Sequence, residues 1–272
     1  MPKERVLITV KTYPTLSNKY DEVVCTAGLR EDGTWVRIYP IPFRKLIDLE
    51  QYKKFDIVEV ELVRNPSDPR PESHRIRSEI KVIDHINTSN EWYTRRKIVL
   101  EKNYIYKDFA KLIEDNKSDK NISLATFKPT EILDMEVVED SREWDAERLE
   151  KINLRAKQHN LFENNDKVFK VVHKLPYKFK YVFSDISGQE RKLTINDWEL
   201  GALFWKEKKR LGNEKKAIES IKRKYLVDLV EKRDIHLFVG TTQSWDSMNA
   251  PNPFIIIGVF SPPRILQESL LF

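Results

Sequence analysis

Cysteine is almost absent from this chain of 272 residues. Cys25 stands alone, so no intrachain disulfide can form. The five histidines, His74, His85, His159, His173 and His236, are scattered and offer no zinc-type ligand spacing, so no metal and no cofactor is expected. No apolar run approaches the roughly 18 residues that a membrane-spanning helix needs. The opening MPKERVLITVKTYP lacks the long apolar region and small-residue cleavage site of a secretory signal, so a cytoplasmic protein without membrane contact is expected. Only 7 glycines are present, with 40% hydrophobic and 33% charged residues, which describes an ordered chain rather than a disordered one. At this length two cores are expected rather than one.

What the chain has is charge, unevenly spread. The net charge is only +5. Between Lys206 and Arg233, however, eleven Lys or Arg face five acids, whereas residues 131–150 hold nine acids and two arginines. Such asymmetry points to a polyanionic partner or to contact between the two regions.

The most informative stretch is Val23 to Arg44, VVCTAGLREDGTWVRIYPIPFR. Asp32-Gly33 between strand-favouring runs predicts a hairpin, because the tight turn needs positive φ. Strand alternation puts Val36 and Ile38 on one face and Trp35, Arg37 and Tyr39 on the other. An indole, a guanidinium and a phenol side by side can stack on bases and pair with phosphate. The same letters also suit a strand buried on both sides, with Arg37 in a structural ion pair. Lys11, Tyr13 and Arg44 extend the candidate basic, aromatic face, since KTYP follows the first strand and FR follows the hairpin. Cys25, within VVCTAG, reads as a small buried side chain rather than a nucleophile. The loop 68–74, DPRPESH, reads as a rigid segment that could hold Arg70 against a ligand, and adjacent Ser and His there do not make a catalytic triad.

Strand-like runs dominate up to residue 140, which predicts barrel-like units. A charged helix over 141–165 is expected to connect them to an α+β region over 166–272. There, KFKYVFSD and RKLTI predict a hairpin. Asn196 is expected to cap a helix with Glu199 in the reciprocal position, and Leu200, Leu203, Phe204 and Leu211 form its stripe. A second helix over 213–232 turns Ala217, Ile218, Ile221, Tyr225 and Leu229 to one side and Lys215, Lys216, Lys222 and Arg223 to another. These four basic residues are candidates for nucleic-acid contact, or for a protein partner. Asp185, Glu190 and Lys192 resemble the letters of a metal-dependent nuclease, but they lie too close across one turn, and cross-strand charges account for them. Gly240, Thr241 and Thr242, followed by Trp245, form a candidate pocket at a strand end, able to offer backbone amides to a phosphate or base. The C-terminal SPPRILQESLLF is expected to be held by its leucines. No residue pattern identifies a catalytic group or an oligomeric state.

Residues 5–140 resemble the dual OB-containing family of prokaryotic proteins. The resemblance rests on Cys25, Ala27, Gly28, Gly33, Trp35, Arg37 and Pro40, and on Pro71, Glu72 and Ser73 in the later loop. Tyr39 departs from the pattern, which has proline directly after the arginine. The resemblance implies two tandem OB-like barrels, a genome-defence or mobile-element setting, and binding of single-stranded or modified nucleic acid across an open face. From the residues and the resemblance together, the expectation is an α+β nucleic-acid-binding protein. Two alternatives stay open: a nucleotide- or phosphodiester-processing enzyme acting through the C-terminal region, and a protein-interaction adaptor.

Overall fold

The hairpin forms where the Asp-Gly pair predicts it. In the computed structural model, which describes residues 3–162 and 170–264, β3 (Asp21–Arg30) and β4 (Trp35–Ile41) pair antiparallel. Gly33 has φ +86°, and a Cβ there would fall 2.1 Å from the Lys102 carbonyl oxygen, so both backbone and space call for glycine. Asp32 Oδ1 accepts from Thr34 N at 2.9 Å and closes the turn.

These strands belong to a curled, half-barrel sheet completed by β1 (Glu4–Lys11), β2 (Thr15–Ser17), β5 (Asp56–Val60), β6 (Leu62–Arg64), β7 (Ser73–Ile76) and β8 (Lys81–His85). The order is β6-β7-β4-β3-β1-β5-β8, with β2 on β3; β4 and β7 run parallel and the other pairs antiparallel. A register shift between Ile8 and Val10 in β1 lets Val10 join Leu7 on one side, while Val6 and Ile8 face the other. Both faces of β1 are therefore buried.

After α1 (Ser89–Arg96), the chain leaves this sheet. β9 (Ile105–Tyr106) and β10 (Leu124–Phe127), separated by α2 (Phe109–Lys117), pair with β14 (His236–Thr241) and β15 (Phe254–Phe260) in the order β15-β14-β10-β9. β11 (Glu131–Glu139) pairs with β12 (Tyr177–Ser184), which pairs with β13 (Glu190–Thr194). Strands within the first 140 residues thus share sheets with the C-terminal part, where a tandem barrel over 1–140 would keep them together. The α+β class holds; the curled first sheet is a half-barrel.

Helix α3 (Ala146–Phe162) begins the expected connector. α4 (Trp198–Leu211) and α5 (Glu214–Lys222) follow the predicted stripes, with Leu200, Phe204, Ala217 and Ile221 buried and Gly212 ending α4 at φ +64°. Its cap differs from expectation: Asp197, not Asn196, accepts from Glu199 N at 2.8 Å. A further short α-helix is α6 (Gln243–Ser247). The leucines of the C-terminal tail lie outside the described residues.

Among the described residues three clusters form the core, and the one at the seam matters most here. Leu7, Val10, Leu29, Trp35 and Phe55 from the first half pack with Leu124, Phe238, Ile257 and Phe260 from the second. Trp35 meets Phe238 edge-on at 5.4 Å. Burying each side chain of this size contributes about 2–3 kcal/mol, so the two halves hold each other.

Candidate functional site

The expected exposed face of β4 does not exist, because the C-terminal half covers it. Trp35 is 8% and Arg37 2% exposed, as the both-sides-buried alternative requires. Arg37 donates to Ser123 Oγ at 2.7 Å and Ser123 O at 2.9 Å, and more weakly to Ser73 Oγ at 3.3 Å. Burial, and then the neighbouring Arg70 charge, pull its pKa below the usual arginine value. Arg70 is fixed as well: Nε and Nη2 donate to the two oxygens of Asp68 at 2.8 and 2.6 Å, and Nη1 donates to the Thr241 carbonyl at 2.6 Å. Ser73 Oγ donates to Asp68 at 2.7 Å, and Ser123 Oγ donates to Glu72 at 2.6 Å. Asp68 is opposed by burial, but Arg70 and Ser73 hold its carboxyl down at about 2. The loop carrying Pro71, Glu72 and Ser73 is therefore a charge-balanced clasp of two guanidiniums and two carboxylates between the halves.

This clasp walls a cavity of about 220 Å3, which brings together Arg37, Tyr39, Arg70, Thr241 and Thr242, five residues singled out in the sequence. Gly240 adjoins it, since a Cβ there would lie 3.6 Å from Arg37 Nη2. Cys25 also lines it; burial pushes its thiol up, which leaves it protonated and unsuited to attack. Trp245 stands apart on α6, exposed, and does not line this cavity.

Tyr13 is likewise inside rather than on a face. Its hydroxyl donates to the His173 carbonyl and accepts from Trp205 Nε1, both at 2.8 Å, and its ring lies where a Cβ on Gly201 would fall 2.2 Å away. Burial raises its pKa to about 12. Arg44 pairs with Glu22 at 2.8 Å. Lys215 and Lys216 on α5, and Arg223 just after it, are exposed as expected, while Lys222 is half-buried, 3.9 Å from Asp134. Asp185 is buried and accepts from Ser187, Phe109 N and Arg191, and Lys192 pairs with Glu136, so these letters serve the hairpin. Among the described residues no group of three or more His, Cys, Asp or Glu is placed to hold a metal, and no helix is long and apolar enough to cross a membrane.

Lys11 leads to a second, larger opening of about 470 Å3, lined by Lys11, Lys54, Phe55, Trp92, Arg95, Trp198 and Glu199 among others. Lys11 Nζ sits 3.8 Å from the Phe43 ring centre and 4.4 Å from that of Trp198. Among the described residues it makes no hydrogen bond or ion pair. Burial lowers its pKa from 10.5 to about 8, despite the favourable pull of Glu199 and Asp197. Beside it Lys54 is saturated, donating to Glu199 at 2.9 Å and to Asp197 at 3.3 Å; these carboxylates outweigh burial and keep it charged.

The opposite wall is aromatic and cationic. Arg95 stacks on Phe55 at 3.9 Å and on Trp92 at 5.0 Å, donates to the Ile86 carbonyl at 2.8 Å, and has no carboxylate partner among the described residues. Asn90, Glu91 and Trp92 all have positive φ, at 48°, 52° and 66°. Left-handed backbone costs about 1–2 kcal/mol per non-glycine residue, and here that turn delivers Trp92 to the wall, against Phe55 and Phe260. His85, exposed at the rim, pairs through Nδ1 with Asp56 at 2.6 Å. Sequence reasoning found only Lys11 here. Nothing in the sequence around Arg95 and Trp92 marks them, and the strained turn has no sequence signature.

Fold and site together define an α+β protein whose two halves enclose a cation–aromatic cleft and a clasped polar cavity. The chain belongs to the family described as domain of unknown function DUF8757, whose model matches residues 107–272; a second such model, DUF8758, matches residues 2–101. No curated protein matches the chain.

Proposed function

We propose that this protein binds single-stranded nucleic acid, with one nucleotide unit seated in the cation–aromatic cleft. The observation that carries the reading is Lys11: a desolvated ammonium held against Phe43 and Trp198 with no carboxylate in hydrogen-bond or ion-pair contact among the described residues. Such a cation gains from a phosphate what water no longer supplies. Trp92 and Trp198 bring to the same opening aromatic rings of the type that stack on bases, and Arg95 adds a second cation with no carboxylate partner among the described residues. The volume of about 470 Å3 lies within the roughly 300–1,000 Å3 typical of small-ligand sites. The exposed Lys215, Lys216 and Arg223 supply a sequence-independent extension.

The test is binding of a fluorescently labelled short single strand followed by anisotropy across a salt series. Wild type should show log affinity falling linearly with log salt. Lys11→Met with Arg95→Met should reduce both affinity and slope, the slope by about 0.7 for each phosphate that is no longer neutralised. A folded double variant that keeps affinity and slope removes the cleft from the interface.

A further inference from the structure

The cavity behind the arginine clasp differs in chemistry from the cleft. Arg37 and Arg70 are balanced by Asp68 and Glu72 and committed to protein acceptors, so the cavity presents no net charge to attract a phosphate. Its volume of about 220 Å3 falls below the roughly 300–1,000 Å3 of pockets that enclose drug-sized ligands. It suits one neutral ring system. Ile255 and Ile257 supply apolar wall, and exposed Thr15 and Gln243 mark the mouth.

Asn196 and Thr242 on this wall are unspent. Asn196, released from helix capping because Asp197 takes that position, has no side-chain hydrogen bond among the described residues. Thr242 Oγ1 is buried with no partner among the described residues, and a χ1 turn that brings the hydroxyl to a ligand in the cavity would relieve that desolvation cost. A carboxamide paired with a hydroxyl matches the donor–acceptor edge of a nucleobase, and extruded bases are read in this way.

We propose that this cavity receives a single nucleobase turned out of a single strand and reads its hydrogen-bonding edge through Asn196 and Thr242. The inference rests on the nucleic-acid reading and deepens it: the cleft takes backbone charge and a stacked ring, while the cavity supplies preference among bases. Tyr39, half-buried on the wall with its hydroxyl unpartnered among the described residues, stands beside the seat.

The experiment titrates adenosine, cytidine, guanosine and uridine, which carry no phosphate, into the full chain, read by ligand-observed NMR and by melting temperature. One nucleoside should bind at least about tenfold more tightly than the weakest of the four. Thr242→Val, which keeps the shape and removes the hydroxyl, should weaken that nucleoside about tenfold while raising the melting temperature of the free protein. Asn196→Ala should weaken it similarly without lowering the melting temperature, since this side chain caps nothing. Nucleosides that all fail to bind, while a single strand still binds, overturn the base cavity and leave the cleft reading intact. Failure of single strands while nucleosides bind overturns the cleft reading and with it base extrusion. Four nucleosides binding equally, indifferent to both substitutions, overturn the reading role.

Discussion

Replacing Lys11 by methionine should make the free protein more stable and a poorer binder at once. The ammonium is held where burial lowers its pKa from 10.5 to about 8. At about 1.4 kcal/mol for each pKa unit, keeping it charged at pH 7 costs the fold up to about 3.5 kcal/mol. The rings of Phe43 and Trp198 already contribute to that balance, and their attraction disappears with the charge, so a net gain of about 1–2 kcal/mol is expected for Lys11→Met. The sign of the pH dependence follows. Between about pH 8 and 10.5 the unfolded chain still binds the proton that the folded chain has released, so the Lys11 contribution to wild-type stability rises across that window. The advantage of Lys11→Met in urea unfolding should therefore be largest at pH 7 and shrink by pH 10. Single-strand affinity of wild type should decline as pH rises through the Lys11 pKa, whereas that of the variant should be lower and flatter. A variant that is less stable than wild type by an amount independent of pH, with unchanged affinity, would refute the desolvated-cation argument.

Three further outcomes follow from the clasp and the basic helix. Arg37→Ala should lower stability by about 3–5 kcal/mol, because it leaves the Ser123 carbonyl and the carboxylates of a buried network unmatched; a shifted urea midpoint with an unchanged slope is the check, and wild-type stability would contradict it. Asp68, held down at about 2 against its ordinary 3.8, contributes about 2 kcal/mol that is complete above pH 4 and is lost as pH falls through 2. Asp68→Asn should therefore be less stable at neutral pH, with the gap to wild type narrowing on acidification; a constant gap would assign the loss elsewhere. Charge reversal at Lys215 and Lys216 should weaken long single strands more than short ones, since only long ones reach both surfaces, and equal losses would argue against bridging.

Local structure was legible wherever one short-range preference decides it. The Asp32-Gly33 turn, the α4 and α5 stripes and the Gly212 stop all follow from glycine at positive φ and from helical period. Alternation in β4 sorted Trp35 and Arg37 from Val36 and Ile38 correctly, but which side meets solvent depends on Phe238, some 200 residues away, lying across Trp35. The cap shows the same limit on a smaller scale. Asn196 and Asp197 are both good caps, and Asn196 N is engaged by the Ile256 carbonyl, so the helix starts one residue later. The cleft was legible only at Lys11 because Lys54, Trp92, Arg95 and Trp198 come from a loop and two helices far apart in sequence, and no local pattern encodes the packing that brings them together. The cavity was half legible: its arginines and threonines stood out separately, but the shared wall depends on the Arg70 hydrogen bond to Thr241 that joins the 68–73 loop to β14.

The central claim is that a single strand occupies the cleft between Lys11, Trp92 and Trp198. Photocrosslinking of an iodouracil-substituted single strand to the full chain, followed by peptide mapping, tests it most directly. Adducts on the peptides carrying Trp92 or Trp198, lost in the presence of excess unlabelled strand, are the predicted result. Adducts confined to residues 206–233, or none above the level of an unrelated basic protein, would contradict it.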